Sequence, residues 1–131
     1  MIGLDTNVLV RYLTQDDAAQ SQQATELLER RLSEANPGFI SLVAMAELVW
    51  VLDRAYRMAA RQIAGAIERI LQTEVFVIEK EQEVFAAMIA LRQGGGSFAD
   101  ALIAELGLQA GCSYTLTFDI KAARLPGFKL V

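Results

Sequence analysis

Apolar and polar positions follow two rhythms that take turns along the chain. Short apolar or β-branched runs at Ile2 to Leu4, Phe39 to Leu42, Glu74 to Ile78 and Ser113 to Phe118 predict strands. Between them the spacing becomes helical. Val8 to Leu13 form a short helix, and Asp16 to Ala35 carry Ala24, Leu27, Leu28, Leu32 and Ala35 on one face. Val43 to Tyr56, Arg61 to Leu71 with Ile63, Ile67 and Ile70 inward, and Lys80 to Arg92 with Val84, Phe85, Met88 and Ile89 inward follow the same period. Phe98 to Leu106 is apolar almost all round, as in a largely buried helix. Asn36-Pro37-Gly38 closes the second helix, Gly94-Gly95-Gly96 parts the last two, and Pro126-Gly127 precedes a possible edge strand at Phe128 to Val131. Strands alternating with helices predict one α/β domain over residues 1–131, a three-layer α/β/α sandwich around a mainly parallel sheet.

Four carboxylates interrupt this pattern at comparable places. Asp5 ends the first strand just before Thr6 and Asn7, which are good helix caps, so it sits where open α/β sheets place ligands. Asp119 ends the strand Ser113 to Phe118 in the same way. Glu47 has Val43, Ala44, Trp50 and Val51 at its helical i±3 and i±4 positions, and a carboxylate buried among them needs a cation or donors to meet it. Asp100 lies three residues after Ser97, the spacing of a capping box, in a helix whose apolar composition turns its first turn inward. Each acid also has an ordinary structural reading as a turn residue, a satisfied glutamate or a cap. Asp16 and Asp17, which open a helix, are read as caps only.

Composition narrows the chemistry. Histidine is absent and Cys112 is the single cysteine, which excludes histidine acid–base catalysis, Cys/His zinc sites and intrachain disulfides. Any metal must bind through oxygen. Cys112 itself is expected to be a buried small hydrophobe. The net charge of −4 gives no basic field from which a nucleic-acid partner follows. Arg54, Arg57, Arg61 and Arg69 are interleaved with Asp53 and Glu68 as on a solvated face. Gly94-Gly95-Gly96 lacks the following Lys-Ser/Thr of a P-loop. A hydrophobic fraction of 53% exceeds what one small core readily hides and predicts an oligomer or partner interface. Phe39 to Leu52, broken by Ser41 and Glu47, falls short of a membrane span of roughly 18 residues. A soluble, cytoplasmic protein without a signal peptide is expected.

A cluster of four carboxylates without histidine suits Mg²⁺ or Mn²⁺, and with such an ion it suits phosphodiester cleavage. Asp5-Thr6-Asn7, Ala46-Glu47-Leu48, Phe98-Ala99-Asp100-Ala101-Leu102-Ile103 and Thr117-Phe118-Asp119 resemble, in order and over nearly the whole chain, the motifs of PIN domains, in particular the VapC-type toxins of bacterial toxin–antitoxin modules. The resemblance implies a metal-dependent endoribonuclease with Asp5, Glu47, Asp100 and Asp119 as metal-binding catalytic acids and Thr6, Asn7 and Thr117 in support. It further implies an RNA substrate, a homodimer and a cognate antitoxin. Many such relatives carry an acid where this chain has Ser97, which is expected to change metal affinity modestly. A noncatalytic interaction module on the same fold stays open, as does a haloacid-dehalogenase-like phosphatase, which would need a second acid at Asn7.

Overall fold

Strand β1 is only two residues long, Ile2–Gly3, and its chain neighbour Leu4 is buried. The computed structural model describes all residues from Met1 to Val131. After β1 come α1 (Thr6–Thr14), α2 (Ala18–Glu26), β2 (Gly38–Ile40), α3 (Leu42–Arg54), α4 (Ala60–Leu71) and β3 (Phe76–Ile78). The second half holds α5 (Glu81–Arg92), α6 (Phe98–Gln109), β4 (Thr115–Thr117), a 3₁₀ turn (Ala122–Arg124) and β5 (Phe128–Leu130). β1, β2 and β3 form a parallel sheet in that order, with Ile2 opposite Gly38 and Gly38 opposite Phe76. β4 and β5 pair in parallel as a second, two-stranded sheet, with Thr115 opposite Phe128. The α/β class, the parallel pairing and the edge strand at Phe128 agree with the sequence reading.

The expected continuous sheet is instead interrupted between β1 and β4. β1 offers a ladder only two residues long, and on its β2 side Ile2 N–H donates to the Pro37 carbonyl and Leu4 N–H to that of Phe39. β4 pairs with β5 alone, and Leu116 on it stays 58% exposed.

Apolar stripes explain the helical layers. A cluster of 25 buried residues draws on α1, α3, α4, α5 and α6 and on β2 and β3, and reaches the second helical segment only through Leu28 of the turn that follows α2. Ile40, Met45, Leu48, Leu52, Ile67, Val84 and Met88 lie fully inside it. α4 shows the amphipathic pattern most clearly, burying Ile63, Ala64, Ala66, Ile67 and Ile70 while Arg61, Gln62 and Arg69 stay outside. Burial of such a side chain contributes roughly 1.5–3 kcal/mol.

Three local expectations are corrected. The helix read over Asp16 to Ala35 ends early: α2 widens into a π turn at Leu27–Arg31, and Leu32 leaves in an extended conformation. Leu32 packs over Gly38 of β2, where an added Cβ would lie 2.9 Å from its Cδ1, so the chain must turn toward the sheet at that residue. Phe85, read as inward, is 52% exposed, since α5 buries the neighbouring stripe of Val84, Ala87, Met88 and Leu91. Cys112 is exposed rather than buried, because it lies in the turn after α6 and outside any stripe.

Candidate functional site

Because β1, β2 and β3 are parallel, their C-terminal ends share one edge, and Asp5 leaves the sheet there. Asp5 is the N-cap of α1, with Oδ1 accepting the Thr6 N–H at 2.7 Å. Thr6 is buried beneath it and Asn7 is exposed. α3 starts from the same edge. Ser41 caps it by accepting the Ala44 N–H at 3.1 Å, and the Glu79 carboxylate, one residue past β3, accepts the Leu42 N–H at 2.8 Å.

Glu47 lies on α3 and is exposed, which corrects the expectation of burial. Its apolar neighbours Val43 and Trp50 are themselves 77% and 60% exposed, so Glu47 stands on an uncovered apolar face. Asp100 is half-buried in the first turn of α6, where Ser97 Oγ accepts its N–H at 3.0 Å; this half of the expected capping box forms, but no return bond joins the Ser97 N–H to the Asp100 carboxylate. α6 is less enclosed than expected, for Ala99 and Ile103 reach solvent. α6 packs against both α3 and β4, which links the elements that carry Glu47, Asp100 and Asp119.

Asp119 follows β4 by two residues and is exposed. Its N–H donates to Thr117 Oγ1 at 3.0 Å, and its Oδ1 accepts the N–H groups of Lys121 at 2.8 Å and Ala122 at 3.4 Å. Thr117 and Ser97 thus fix the backbone on which two of the acids sit. No three acids stand close enough together to hold a metal ion in this arrangement. Two of the four carboxylates are turned back onto amides of their own turns, and β4 does not join the sheet that carries Asp5. The donor chemistry nevertheless fits a hard cation, since every group offered is a carboxylate, hydroxyl or amide oxygen.

Sequence reasoning missed two features. Glu79 is an acid directly after a strand, the same signal that singled out Asp5 and Asp119, and it is engaged as a cap of α3. Asp16 is no helix cap. Asp17 caps α2 by accepting the Gln20 N–H at 3.0 Å, whereas Asp16 joins Tyr56 Oη at 2.5 Å, Thr14 Oγ1 at 2.8 Å and Arg11 at 2.9 Å. Chiefly through the Tyr56 hydroxyl, then that of Thr14, this holds the Asp16 carboxyl at about 2, below its ordinary 3.8. The Arg11 guanidinium is raised in turn, first by its hydrogen bond to Asp16.

Comparison with known proteins gives two findings. A profile of the PIN domain matches residues 2–127. A protein of Aquifex aeolicus (strain VF5) described as "VapC ribonuclease" is 25% identical over 128 residues, covering 98% of this chain and 93% of that protein.

Proposed function

The chain belongs to the PIN-domain family, and from that premise we propose that it is a metal-dependent endoribonuclease of the VapC toxin type, cytoplasmic and neutralised by a cognate antitoxin. What carries the reading is the ordered set Asp5, Glu47, Asp100 and Asp119, all inside the matched span, in a chain whose named relative is a ribonuclease. Family membership removes the phosphatase alternative.

The four acids would hold Mg²⁺ or Mn²⁺, whose chemistry is to lower the pKa of a water and offset charge at the scissile phosphate. The chain's own part is positional. Thr117 holds the backbone of Asp119, Ser97 holds that of Asp100, and Thr6 and Asn7 set the first turn of α1 behind Asp5. The test is a nuclease assay on purified, antitoxin-free protein with structured RNAs in Mg²⁺ or Mn²⁺. Cleavage is expected to stop with chelator and in Asp5→Asn, which removes a ligand charge at nearly constant shape; chelator-insensitive cleavage overturns the proposal.

A noncatalytic interaction module is the second reading, favoured by the lack of any three acids within metal-holding distance. Failure to bind Mn²⁺ in a calorimetric titration would select it. A homodimer is proposed from area. The surface of 7910 Å² exceeds the roughly 6,800 Å² of a compact monomer of this mass by an amount comparable to one standard interface per partner.

A further inference from the structure

A cleft of about 350 Å³ opens beside the first turn of α1, with Asn7, Arg11, Gln20, Gln23 and Arg31 in its lining. Its chemistry runs against the rest of the molecule. Acids outnumber cations by 16 to 12 along the chain, yet no acid lines this cleft and two arginines do, Arg11 paired with Asp16 outside it and Arg31 unpaired. Its side-chain amides add donors. Gln20 Oε1 accepts from Arg11 Nε at 2.7 Å, which leaves the Gln20 amide N–H₂ free to donate elsewhere. Arg11 is pinned further by Asp16 and by Tyr56 Oη, and Arg31, exposed at the end of the π turn, makes no ion pair. A fixed guanidinium, a free one and surplus amide donors around one hollow form a site for an oxyanion.

The cleft lies beside the acidic edge along the chain, since Asn7, which lines the hollow, stands two residues from Asp5. From Asn7 to Arg11 is one turn of α1, about 6 Å. We propose that this cleft is a phosphate subsite: Arg31 and Arg11, with Gln20 and Gln23, hold a backbone phosphodiester of single-stranded RNA flanking the bond cleaved at the acidic edge. It rests on the nuclease reading and adds to it a means by which an acidic protein retains a polyanion next to its own carboxylates. The wide turn Leu27–Arg31 acquires a role, since it carries Arg31 to the rim of the cleft.

The experiment measures binding of a fluorescein-labelled single-stranded RNA of mixed sequence to the full chain in chelator, by anisotropy over a salt series, with cleavage kinetics measured separately in Mn²⁺. Arg30→Ala, an exposed neighbour outside the cleft, is the reference. Arg31→Ala is expected to weaken binding roughly threefold to tenfold and to flatten the slope of log K against log salt by about 0.7, the share of one single-strand phosphate. Arg31→Lys restores the slope, Arg31→Glu loses more than Arg31→Ala, and in cleavage the loss falls on KM more than on kcat. If wild type cleaves RNA but Arg31→Ala matches Arg30→Ala in slope and KM, the subsite is wrong and the nuclease reading stands. If wild type neither binds nor cleaves RNA, both fall. Loss of binding to an acidic antitoxin peptide in Arg31→Ala, with RNA binding unchanged, assigns the cleft to a protein partner and overturns the proposal.

Discussion

Asp119 shows how a single carboxylate can serve fold and chemistry through different properties. Its oxygen accepts the Lys121 and Ala122 amides, a task for any acceptor of that shape, while metal binding needs its charge. Asp119→Asn is therefore expected to melt with wild type within about 0.5 kcal/mol and to lose nuclease activity, whereas Asp119→Ala loses the acceptor and costs about 1 kcal/mol. Thermal melts of the two variants beside an RNA cleavage assay check this, and an Asn variant with full activity would remove Asp119 from the site. Asp16 makes a separate residue-scale prediction. Its folded pKa is depressed to about 2 from 3.8, so the ionised form is favoured in the folded state. That contribution is fully present above the unfolded value and lost as pH falls through 3.8 toward 2. Urea midpoints measured across this window should fall less steeply for Asp16→Asn than for wild type, and Tyr56→Phe should lie between them. Identical slopes in all three would mean that the cluster of Arg11, Thr14, Asp16 and Tyr56 does not bias folding.

At the scale of elements, Gly38 sets how closely Leu4, just after β1, and Leu32, just after the π turn, approach β2. A Cβ there would meet Leu4 Cδ1 at 2.7 Å and Leu32 Cδ1 at 2.9 Å, both on buried side chains. Gly38→Ala should cost about 1–3 kcal/mol by overpacking. Because Leu4 immediately precedes Asp5, the variant should also lose activity at temperatures where it is still folded; a melting temperature equal to wild type would show that the leucines yield freely. Element type and order were legible in the sequence because apolar period and capping residues state them directly, as Asp17 and Ser97 do, whereas Ser41, read within a strand, proved to be the N-cap of α3. Which faces are covered was not. Periodicity says that Val43, Glu47 and Trp50 share a side of α3, but how much packs on that side is a tertiary matter, and here Val43 and Trp50 stay 77% and 60% exposed. Phe85 was misplaced because α5 buries the neighbouring stripe, and Cys112 because it falls in a turn rather than on a strand. The strand-end acids were legible from position alone, whereas Arg11, Gln20, Gln23 and Arg31 form a cleft only because α1 and α2 pack together.

The molecule as a whole divides into parts of unequal depth. β2 and β3 are packed into the 25-residue cluster, while β4 and β5 form an isolated two-stranded sheet, an arrangement of marginal stability unless packing supports it. Its support comes from α6 and the turn at Ala122–Arg124, with Leu125 and Ala122 buried below. Above it Leu116 and Phe118 face solvent, Phe118 at 86%. Local opening takes the least free energy where few apolar contacts must break, so the β4–β5 unit should open before the three-stranded sheet does. Asp119 rides on this unit, and Asp5 on the other. Amide exchange followed by mass spectrometry should show Thr115 to Ala122 exchanging well ahead of Phe39 to Met45 in protein kept metal-free. If Asp119 joins Asp5, Glu47 and Asp100 around one ion, Mn²⁺ should slow exchange in Thr115 to Ala122 more than anywhere else, because a ligand bound only to the closed arrangement stabilises it by mass action. The same addition to Asp119→Asn should leave that segment fast while still protecting the start of α1. Uniform protection of both segments before metal is added would mean that the two sheets behave as one body, and protection by Mn²⁺ that survives Asp119→Asn would place the ion on the other acids alone.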